Sequence, residues 1–346
     1  MKKPSIYDIA ERVHVSSATV SYVLNGKEGK VSTATKKKIY AAMKELGYTR
    51  DHAAVSLSTG KSHLIGVCFP LDEASDAFSN PFYGEFLGAF ESVIQTSGYD
   101  VIIGQAKNPK QFERWYISRA MDGVVVLGSL PPELEKSLVR LGANAVLVDV
   151  YEDYSAPFPN IRINDEVGEY LATRFLLERG HTHLGYVGGP DGSTVNHRRY
   201  CGFEKAMMER ELPIEKKLVF HTTTNFEGGY AMGDSIAKNL DRISALVVDA
   251  DIIAIGLIRR LQELGKKLPE DLSIVGFDDI QPAQYIHPTL TTVRQDIREK
   301  GSLSAKTILE EIDSPSKRKK TVVIEPTLAE RNSVLTLSSL RKPFLE

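Results

Sequence analysis

The stretch "IYDIAERVHVSSATVSYVLNGKEGKVSTATKKKIYAAMKELGY", residues 6–48, decides the fold of the amino-terminal part of the chain. Its apolar residues recur at helical spacing in three short runs that are separated by turns containing serine. Each run is short for a helix that must stand alone, because helix nucleation is costly. The pattern therefore predicts a bundle of three helices that bury their apolar faces against one another.

The polar residues before each run are typical helix N-caps. We expect Ser5 to cap the first helix, Ser16 or Ser17 the second, and Val31-Ser32 to precede the third. The residues expected to face inward are Ile6, Ile9, Ala10, Val13, Val20, Val23, Leu24, Ile39, Ala42, Met43 and Leu46. Lysines 36, 37, 38 and 44 are expected to face mostly outward, which leaves a basic surface on the bundle.

Charge is distributed unevenly along the chain, although its overall net charge is only −2. Residues 1–62 hold eleven Lys or Arg against five Asp or Glu, a net charge of +6. Residues 63–346 hold 32 against 40, a net charge of −8. A basic head on an acidic body indicates that the head alone contacts a polyanion.

The sequence shows no apolar signal core at its start and no run of about 18 apolar residues of the kind that crosses a membrane. We therefore expect a cytoplasmic, nucleoid-associated protein. Cys68 and Cys201 have no CxxC partner, which favours two buried thiols over a disulfide or a metal site. Neither a cofactor nor a metal is expected.

The head closely resembles the helix-turn-helix domain of the LacI/GalR family of transcription regulators, because "ATVS.VLNG", "VS..T...I" and "LGY" recur at the family's spacing. The resemblance implies that the second helix lies in the major groove of DNA. It places Ser17, Ala18 and Tyr22 at base-reading positions. It places Ser5, Tyr7, Ser16, Thr19, Ser21, Asn25 and Thr35 at phosphate-contacting positions. From the residue pattern alone, a helical interaction module with a solvated lysine face remains an alternative.

The connector "TRDHAAVSLSTGKS", residues 49–62, contains about one turn of helical pattern. In the family that it resembles, this segment is a hinge helix that becomes ordered on DNA, and Leu57 falls on the leucine that is wedged into the minor groove. The alternative is an ordinary linker with Leu57 packed against the body. Arg50-Asp51 stands where the family usually has Pro-Asn.

From residue 63 onward, apolar runs typical of strands alternate with amphipathic segments typical of helices. The runs are "HLIGVCFPL", "DVIIGQ", "DGVVVLG", "AVLVDV", "HLGYVGG", "ALVVDA" and "LSIVGFDD". This alternation predicts parallel sheets covered on both faces, and the length favours two doubly wound lobes over one. The body resembles the family's two-lobed α/β effector domain, which is similar to periplasmic sugar-binding proteins.

The expected organisation is a helix-turn-helix head, a hinge, two lobes and a short tail. The corresponding ranges are 1–48; 49–62; 63–335, with lobes of about 63–162 plus 292–322 and 163–291 plus 323–335; and 336–346. The tail is too short for a tetramerisation helix, so a homodimer is favoured.

Ligands bind such sheets at the carboxyl ends of the strands. Phe82, Tyr83, Arg199 and Asp278 follow predicted strands, and an arginine and a carboxylate facing one cleft can bracket a polyhydroxylated ligand. In the family, Arg199 and Asp278 fall on the most characteristic ligand contacts, and Asp149, Ser193 and Phe226 fall on further pocket positions. Core packing of the three phenyl and phenol rings, and a structural Arg199–Asp278 ion pair, are the alternatives.

Ala250 stands where the family often has asparagine, while Asp251 is retained. One hydrogen bond to a sugar is lost at that position, which favours an effector that is smaller than the simple hexoses or differs from them. The expected effector is a sugar or a related metabolite, which the sequence does not name. The sign of the response, induction or corepression, is not fixed by the sequence either.

The sequence leaves three classes of function. A homodimeric repressor that binds a pseudo-palindromic operator in double-stranded DNA and responds to a small-molecule effector explains the head, hinge and body together; a protein corepressor is left open as a further partner. A transport-type solute-binding protein would need a secretion signal and no basic head. An enzyme would need a set of catalytic residues that the sequence does not show. Asp278 and Asp279 are adjacent at a strand end, so their side chains are expected to point in different directions. The "HTH" at 181–183 offers two metal ligands without a third, and "VGGPDG" does not match a phosphate-binding loop.

Overall fold

The computed structural model describes residues 4–24, 31–48, 60–69, 79–106, 108–152 and 154–337. The chain divides into two compact units, residues 1–62 and residues 63–346. The predictions for Asn25 and Leu57 lie outside the described residues, as do most of the connector and the end of the tail.

The head contains three helices, α1 Ile6–Val13, α2 Ser17–Leu24 and α3 Thr33–Leu46. Ser5 caps α1 in a reciprocal capping box, because its hydroxyl accepts from the backbone N–H of Asp8 while the Asp8 carboxylate accepts from the backbone N–H of Ser5 at 2.6 Å. Ser16, rather than Ser17, caps α2: its Oγ accepts from the backbone N–H of Thr19 at 3.1 Å. Ser32 caps α3.

A small apolar core holds the three helices together, as the helical periodicity predicts. Its fully buried members are Ile9, Ala10, Val20, Val23, Ile39 and Ala42. Ile6, Val13, Leu24, Met43 and Leu46 are only partly buried and pack against this core. The predicted three-helix bundle is confirmed.

The first sheet of the body is parallel and has six strands in the described part of the chain. They are β1 Leu64–Phe69, β2 Asp100–Gln105, β3 Gly123–Leu127, β4 Ala145–Val148, β5 Asn160–Ile163 and β11 Thr321–Ile324. Their order is β11-β5-β4-β3-β1-β2. Because the chain leaves β1 in one direction and returns on its other side, the order reverses between β1 and β3, which is where doubly wound sheets bind ligands.

The second sheet repeats this plan. Its strands are β6 Leu184–Gly188, β7 Val219–His221, β8 Ala245–Val248, β9 Ser273–Asp278, β10 Thr291–Arg294 and β12 Thr327–Ala329. Their order is β12-β10-β9-β8-β6-β7, and only β12 pairs in the antiparallel sense among these strands. The two doubly wound sheets confirm the predicted fold class.

Helices cover both faces of the sheets. They are α4 Pro81–Thr96, α5 Pro109–Ser118, α6 Pro132–Leu141, α7 Asp165–Glu178, α8 Thr194–Glu209, α9 Phe226–Ala237, α10 Asp251–Glu263 and α11 Ile297–Asp313, with short 3₁₀ turns at Lys216–Leu218 and Gln281–Gln284. Since both sheet faces are covered, the central strands β3, β4 and β8 are buried along their whole length.

The chain crosses between the sheets after Ile163, after Arg294 and after Ile324. These points lie one to three residues later than the lobe boundaries after about 162, 291 and 322 that the sequence suggested. The reason is strand pairing, because each strand continues its ladder to those residues. The polar residues at the crossovers therefore lie in the segments that join the two lobes, which are distinct from the connector 49–62.

The two cysteines differ in burial. Cys68 is buried, and burial raises the pKa of its thiol to about 12. Cys201 is only half-buried, so the expectation of a buried thiol is wrong there, because the residue is not among those that α8 buries. Within the described ranges, no helix has the length and apolar character needed to cross a membrane.

Candidate functional site

The predicted base-reading residues lie on one side of α2. Val20 and Val23 point into the head core, and the opposite face carries Ser17, Ala18 and Tyr22. Ala18 is exposed, whereas Ser17 and Tyr22 are half-buried. A helix with one buried side and an opposite face of small or polar residues suits insertion into a groove of about 12 Å.

Several predicted phosphate-contacting hydroxyls lie at helix N-termini. Ser5 caps α1, Ser16 caps α2 and shares a hydrogen bond of 2.8 Å with Thr19, and Thr35 lies in the first turn of α3 beside the Ser32 hydroxyl at 2.9 Å. The partial positive charge at a helix N-terminus favours an anion. These hydroxyls therefore combine a structural role with a location that suits phosphate.

The two remaining described members of this group differ in exposure. Tyr7 is 69% exposed on α1, and Ser21 is half-buried on α2. A tyrosine that is so exposed on a basic head contributes little to the core and is available to a partner.

In the body, Arg199 lies at the centre of a buried polar group. Its Nε atom donates to Asp165 Oδ1 at 2.8 Å, and its Nη1 atom donates to the main-chain carbonyl of Asp249. Its Nη2 atom lies 3.6 Å from Asp278 Oδ1. The guanidinium carbon also lies 3.7 Å from the centre of the Phe277 ring. Arg199 on α8 is thereby held against the carboxyl ends of β8 and β9.

Lys300 on α11 is the second buried cation of the region. Its ammonium group donates to both carboxylate oxygens of Asp149, at 2.9 and 2.6 Å, and to Gln295 Oε1 at 2.6 Å. It also lies 5.4 Å from the centre of the Phe82 ring. The contact with Phe82 at the start of α4 places this predicted pocket residue beside the cation.

Gln295 connects the two cations. Its amide nitrogen donates to Asp278 Oδ1 at 2.5 Å while its oxygen accepts from Lys300. On the other side, the Tyr151 hydroxyl donates to Asp165, whose other oxygen holds Arg199. We call these seven residues the hinge network: Asp149, Tyr151, Asp165, Arg199, Asp278, Gln295 and Lys300. It connects both sheets across two crossovers.

Two of the carboxylates in this network stand on unusual backbone. Asp149 has φ 54° and Asp278 has φ 118°, and each directly follows or ends a strand. Non-glycine residues in this region of φ cost about 1–3 kcal/mol, and such strain concentrates at functional sites. The strained backbone turns both carboxylates toward the buried cations.

Burial controls the ionisation of these groups. It raises the pKa of Asp278 to about 7, against the opposing effect of Arg199. Burial likewise raises the pKa of Asp149, although Lys300 opposes the change. Burial alone would lower the pKa of Arg199, but Asp165, Asp278 and Asp249 more than compensate, so that its pKa is raised. Arg199 therefore stays charged.

The other predicted pocket residues lie apart from these ion pairs. Tyr83 packs edge-on against Phe69, with ring centres 5.1 Å apart. Ser193 caps α8 by accepting from the backbone N–H of Asn196, and Phe226 opens α9 and stacks on Tyr230. In the described part of the chain, neither Ser193 nor Phe226 hydrogen-bonds to the hinge network.

Asp251 has a structural explanation. Its side chain is fully buried and accepts from the Thr292 hydroxyl at 2.6 Å and from the backbone N–H of Ile280 at 3.0 Å. It therefore fixes the turn after Asp278. Ala250, at the position where the resemblance led us to expect asparagine, is buried. Asp279 pairs with Arg294 and Arg331, away from Asp278, as expected for adjacent residues at a strand end.

Two surface grooves lie away from the hinge network. One, of about 460 Å³, is lined by Asn108, Pro109, Lys110, Glu113, Glu133, Lys136, Ser137 and Arg140. The other, of about 250 Å³, lies between α7 and α8. Neither groove contains a residue that the sequence singled out.

Comparison with known proteins agrees with this architecture. The bacterial regulatory proteins of the lacI family match residues 5–51, and a periplasmic binding protein-like domain matches residues 173–334. Over 338 residues, the chain is 31% identical to the ribose operon repressor of Haemophilus influenzae. The aligned region covers 95% of this chain and 98% of that repressor. The chain belongs to the LacI family.

Further relatives and structures extend the match. This LacI-family chain is 31% identical over 336 residues to the HTH-type transcriptional repressor PurR of Pectobacterium carotovorum, covering 95% and 96% of the two chains. The Lac repressor dimer bound to operator and the anti-inducer ONPF has a TM-score of 0.82 at 24% identity, covering 96% of this chain and 100% of that one. A LacI-family regulator from Enterococcus faecium with bound ribose has a TM-score of 0.71 at 26% identity, covering 80% and 100%.

The family match therefore assigns the general function. The chain is a DNA-binding transcriptional repressor with a small-molecule effector. It is a regulator rather than an enzyme, and the match over both units also excludes the transport-type binding protein considered above.

Sequence reasoning did not identify four members of the hinge network: Tyr151, Asp165, Gln295 and Lys300. Lys300 looks like an ordinary solvated residue of a charged helix, yet it lies on the same helical stripe as Ile297, Gly301 and Ser304, all of them predominantly buried or packed. The helical spacing of these four residues is the sequence signal that indicates burial of Lys300. Asp165 and Gln295 lie at crossovers, which no local pattern marks.

Proposed function

We propose that this regulator binds a pseudo-palindromic operator as a homodimer and that a sugar-like metabolite, bound at the hinge network between the lobes, controls this binding. The head, 1–48, reads the half-site, the hinge, 49–62, enters the minor groove, and the body, 63–335, binds effector and partner subunit. Operator binding places the protein in the cytoplasm, at the nucleoid. No protein corepressor is required by this scheme.

The observation that carries the proposal is the hinge network itself. Asp149 and Lys300 belong to the first lobe, whereas Arg199 and Asp278 belong to the second, and Gln295 at a crossover joins them. A ligand that engages Arg199 or Asp278 must therefore compete with contacts that set the lobe orientation. Such differential contacts are the physical basis of allosteric coupling, which typically amounts to about 1–3 kcal/mol.

The choice of a sugar-like effector is supported by the relatives. One is a ribose operon repressor, and one structurally similar regulator contains ribose. A guanidinium and carboxylates near aromatic rings also suit a polyhydroxylated ring. Ser193 and Phe226 join this pocket in the proposal as contacts that close on the ligand.

The dimer is supported by symmetry. One helix-turn-helix reads one half-site, and two heads related by a twofold axis fit half-sites about one helical turn apart. The structurally similar Lac repressor is a dimer on its operator.

Selection of DNA from a random pool with the full-length protein, at two salt concentrations, tests the proposal. We expect a palindromic consensus whose enrichment falls steeply with salt, because phosphate contacts release counterions. A consensus without twofold symmetry would contradict the homodimer. Failure to enrich any sequence, with and without a panel of sugars and nucleosides, would contradict operator binding.

Leu57→Ala is expected to weaken binding to the selected operator and to reduce DNA bending, because an apolar wedge that unstacks a base step is lost. The expected loss is about 1–3 kcal/mol in binding free energy, comparable to the free energy of removing one apolar side chain from water. Val55→Ala, which truncates an apolar side chain in the same connector, is the control. Equal bending by both variants in a gel-shift assay would refute the wedge.

A further inference from the structure

The buried polar region around Arg199 contains more negative than positive side chains. Among the described residues, its two cations are Arg199 and Lys300. The carboxyl groups that interact electrostatically with these cations or with one another are Asp149, Asp165, Glu169, Asp249 and Asp278. Since a buried charge is stable only when it is compensated, this imbalance requires an explanation.

Both cations are already neutralised within the protein. Lys300 is held by both oxygens of Asp149 and by Gln295. Arg199 donates to Asp165 and to the carbonyl of Asp249, and its remaining nitrogen faces Asp278. An anionic ligand would therefore find its positive charges taken and carboxylates on every side. This arrangement disfavours phosphorylated or carboxylated ligands.

Unpartnered acceptor atoms accompany the excess of carboxylates. Asp249 is 1% exposed; its Oδ2 accepts from the backbone N–H of Gly189 at 2.8 Å, but its Oδ1 has no hydrogen-bond partner in the described structure. Glu169 on α7 is fully buried, and neither of its carboxylate oxygens has such a partner. A buried acceptor without a donor raises the free energy of the folded protein, and a ligand that supplies hydrogen-bond donors removes this penalty when it binds.

The positions of the carboxylates decide between kinds of cation. Asp249 and Asp278 stand at the carboxyl ends of the neighbouring strands β8 and β9. No three His, Cys, Asp or Glu side chains in the described ranges converge as a metal-ligand set. An ammonium group has N–H bonds that can point to carboxylates on neighbouring strands, and it does not need the converging set of ligands that a metal ion requires.

We propose that the effector of this regulator carries a positively charged amino group, which binds to the carboxylates of Asp249 and Asp278. The inference rests on the proposed function of the cleft as the effector site, and it narrows the effector from sugar-like metabolites in general to amino sugars and related amines. Arg199 then holds the neutral hydroxyl groups of the ligand through its Nη2 hydrogens.

The ionisation of the carboxyl groups agrees with this assignment. Burial raises the pKa of Asp249 to about 6, even though Arg199 opposes the change. Burial and the nearby Asp249 raise the pKa of Glu169 well above its ordinary value. A bound cation favours the charged carboxylates, and the repulsion among them is relieved in the complex.

Calorimetric titration of the full-length protein with matched ligands tests the proposal. The panel contains glucose, glucosamine, N-acetylglucosamine and glucose 6-phosphate, the corresponding galactose and mannose series, and the amines putrescine and spermidine. We expect at least one amine to bind about tenfold or more tightly than its N-acetyl, neutral and phosphate counterparts, as a charge-assisted hydrogen bond requires.

Asp249→Asn should weaken that amine by about tenfold or more while a neutral parent sugar is affected less than about twofold, because the amide keeps the bond from Gly189 but loses the charge. Asp241→Asn removes a charge from an exposed site and serves as the control. Thermal melting of each variant verifies that it is folded.

Tightest binding of a phosphate or neutral form, or no binding of any amine at millimolar concentration, would overturn the ligand class. These outcomes are separable from a failure of the proposed function. A neutral sugar that changes operator binding, while no amine binds, would leave the repressor scheme intact and eliminate the amine. An amine that binds with the expected Asp249 dependence but leaves operator binding unchanged would support the ligand class and contradict effector control.

Discussion

Lys300→Met is expected to lower the free energy of unfolding of the body by about 3–5 kcal/mol, the usual cost of leaving one partner of a buried ion pair uncompensated. Lys300 is 0% exposed and supplies the ammonium that neutralises Asp149. Methionine fills a similar volume, so the substitution removes charge and hydrogen bonds more than packing. Denaturant unfolding at neutral pH, monitored by circular dichroism, measures the loss.

The double variant Lys300→Met/Asp149→Asn separates charge from packing. Removing both charges should restore most of the lost stability, because no carboxylate then remains unpaired. Lys136→Met is the surface control: Lys136 pairs with Glu133 at 2.7 Å, but both side chains are mostly exposed, so a change of about 0.5 kcal/mol or less is expected. A double variant no more stable than the single one would show that Lys300 acts through packing.

The elements with strong periodicity could be predicted from the sequence. The runs that form β1, β3, β4, β6, β8 and β9 are apolar along most of their length, because both faces of the sheet are covered. The strands β5, β7, β10, β11 and β12 were not predicted, because they are three or four residues long and partly polar or exposed. Their pairing is decided by the neighbouring strands rather than by their own sequence.

The candidate site was only partly predictable, because some of its residues follow strands and others lie at crossovers between the sheets. Arg199 and Asp278 follow strands, and the ends of parallel strands meet at one edge of a sheet, so their proximity can be inferred. The partners that hold them, Asp165 and Gln295, come from crossovers between the sheets. Their positions depend on how the chain passes between lobes, which local patterns do not encode.

This placement has a consequence for how the regulator responds. Asp165 begins α7 directly after the first crossover, and Gln295 lies in the second. Arg199 and Asp278, two of the proposed effector contacts, are each held by a residue at a crossover between the sheets. Under the proposed function, movement of these side chains would therefore be coupled to rotation of the lobes by direct hydrogen bonds, without a distant pathway.

Asp278→Asn is expected to make the unliganded body progressively more stable than the wild type as the pH rises. Burial raises the pKa of Asp278 from its ordinary value of 3.8 to about 7, so the folded protein retains a proton that the unfolded chain has lost. The stability that depends on this proton is complete below about pH 4 and disappears as the pH rises through about 7. At about 1.4 kcal/mol per pKa unit, the wild type loses about 2–3 kcal/mol between about pH 5 and about pH 8.

Asparagine resembles the protonated carboxyl group and does not titrate, so the difference in unfolding free energy between variant and wild type isolates Asp278 from every other group. The charges that face it are Arg199 on α8, Lys300 on α11, and the carboxylates of Asp249 and Asp251. Arg199 and Lys300 favour the ionised form, but burial and the two carboxylates outweigh them. Denaturant unfolding at several pH values gives the difference, with Asp241→Asn as the exposed control. A difference that stays constant, or that falls as the pH rises, would mean that Arg199 keeps Asp278 ionised throughout, and the balance of charges around the guanidinium would then be the reverse of the one derived from its contacts.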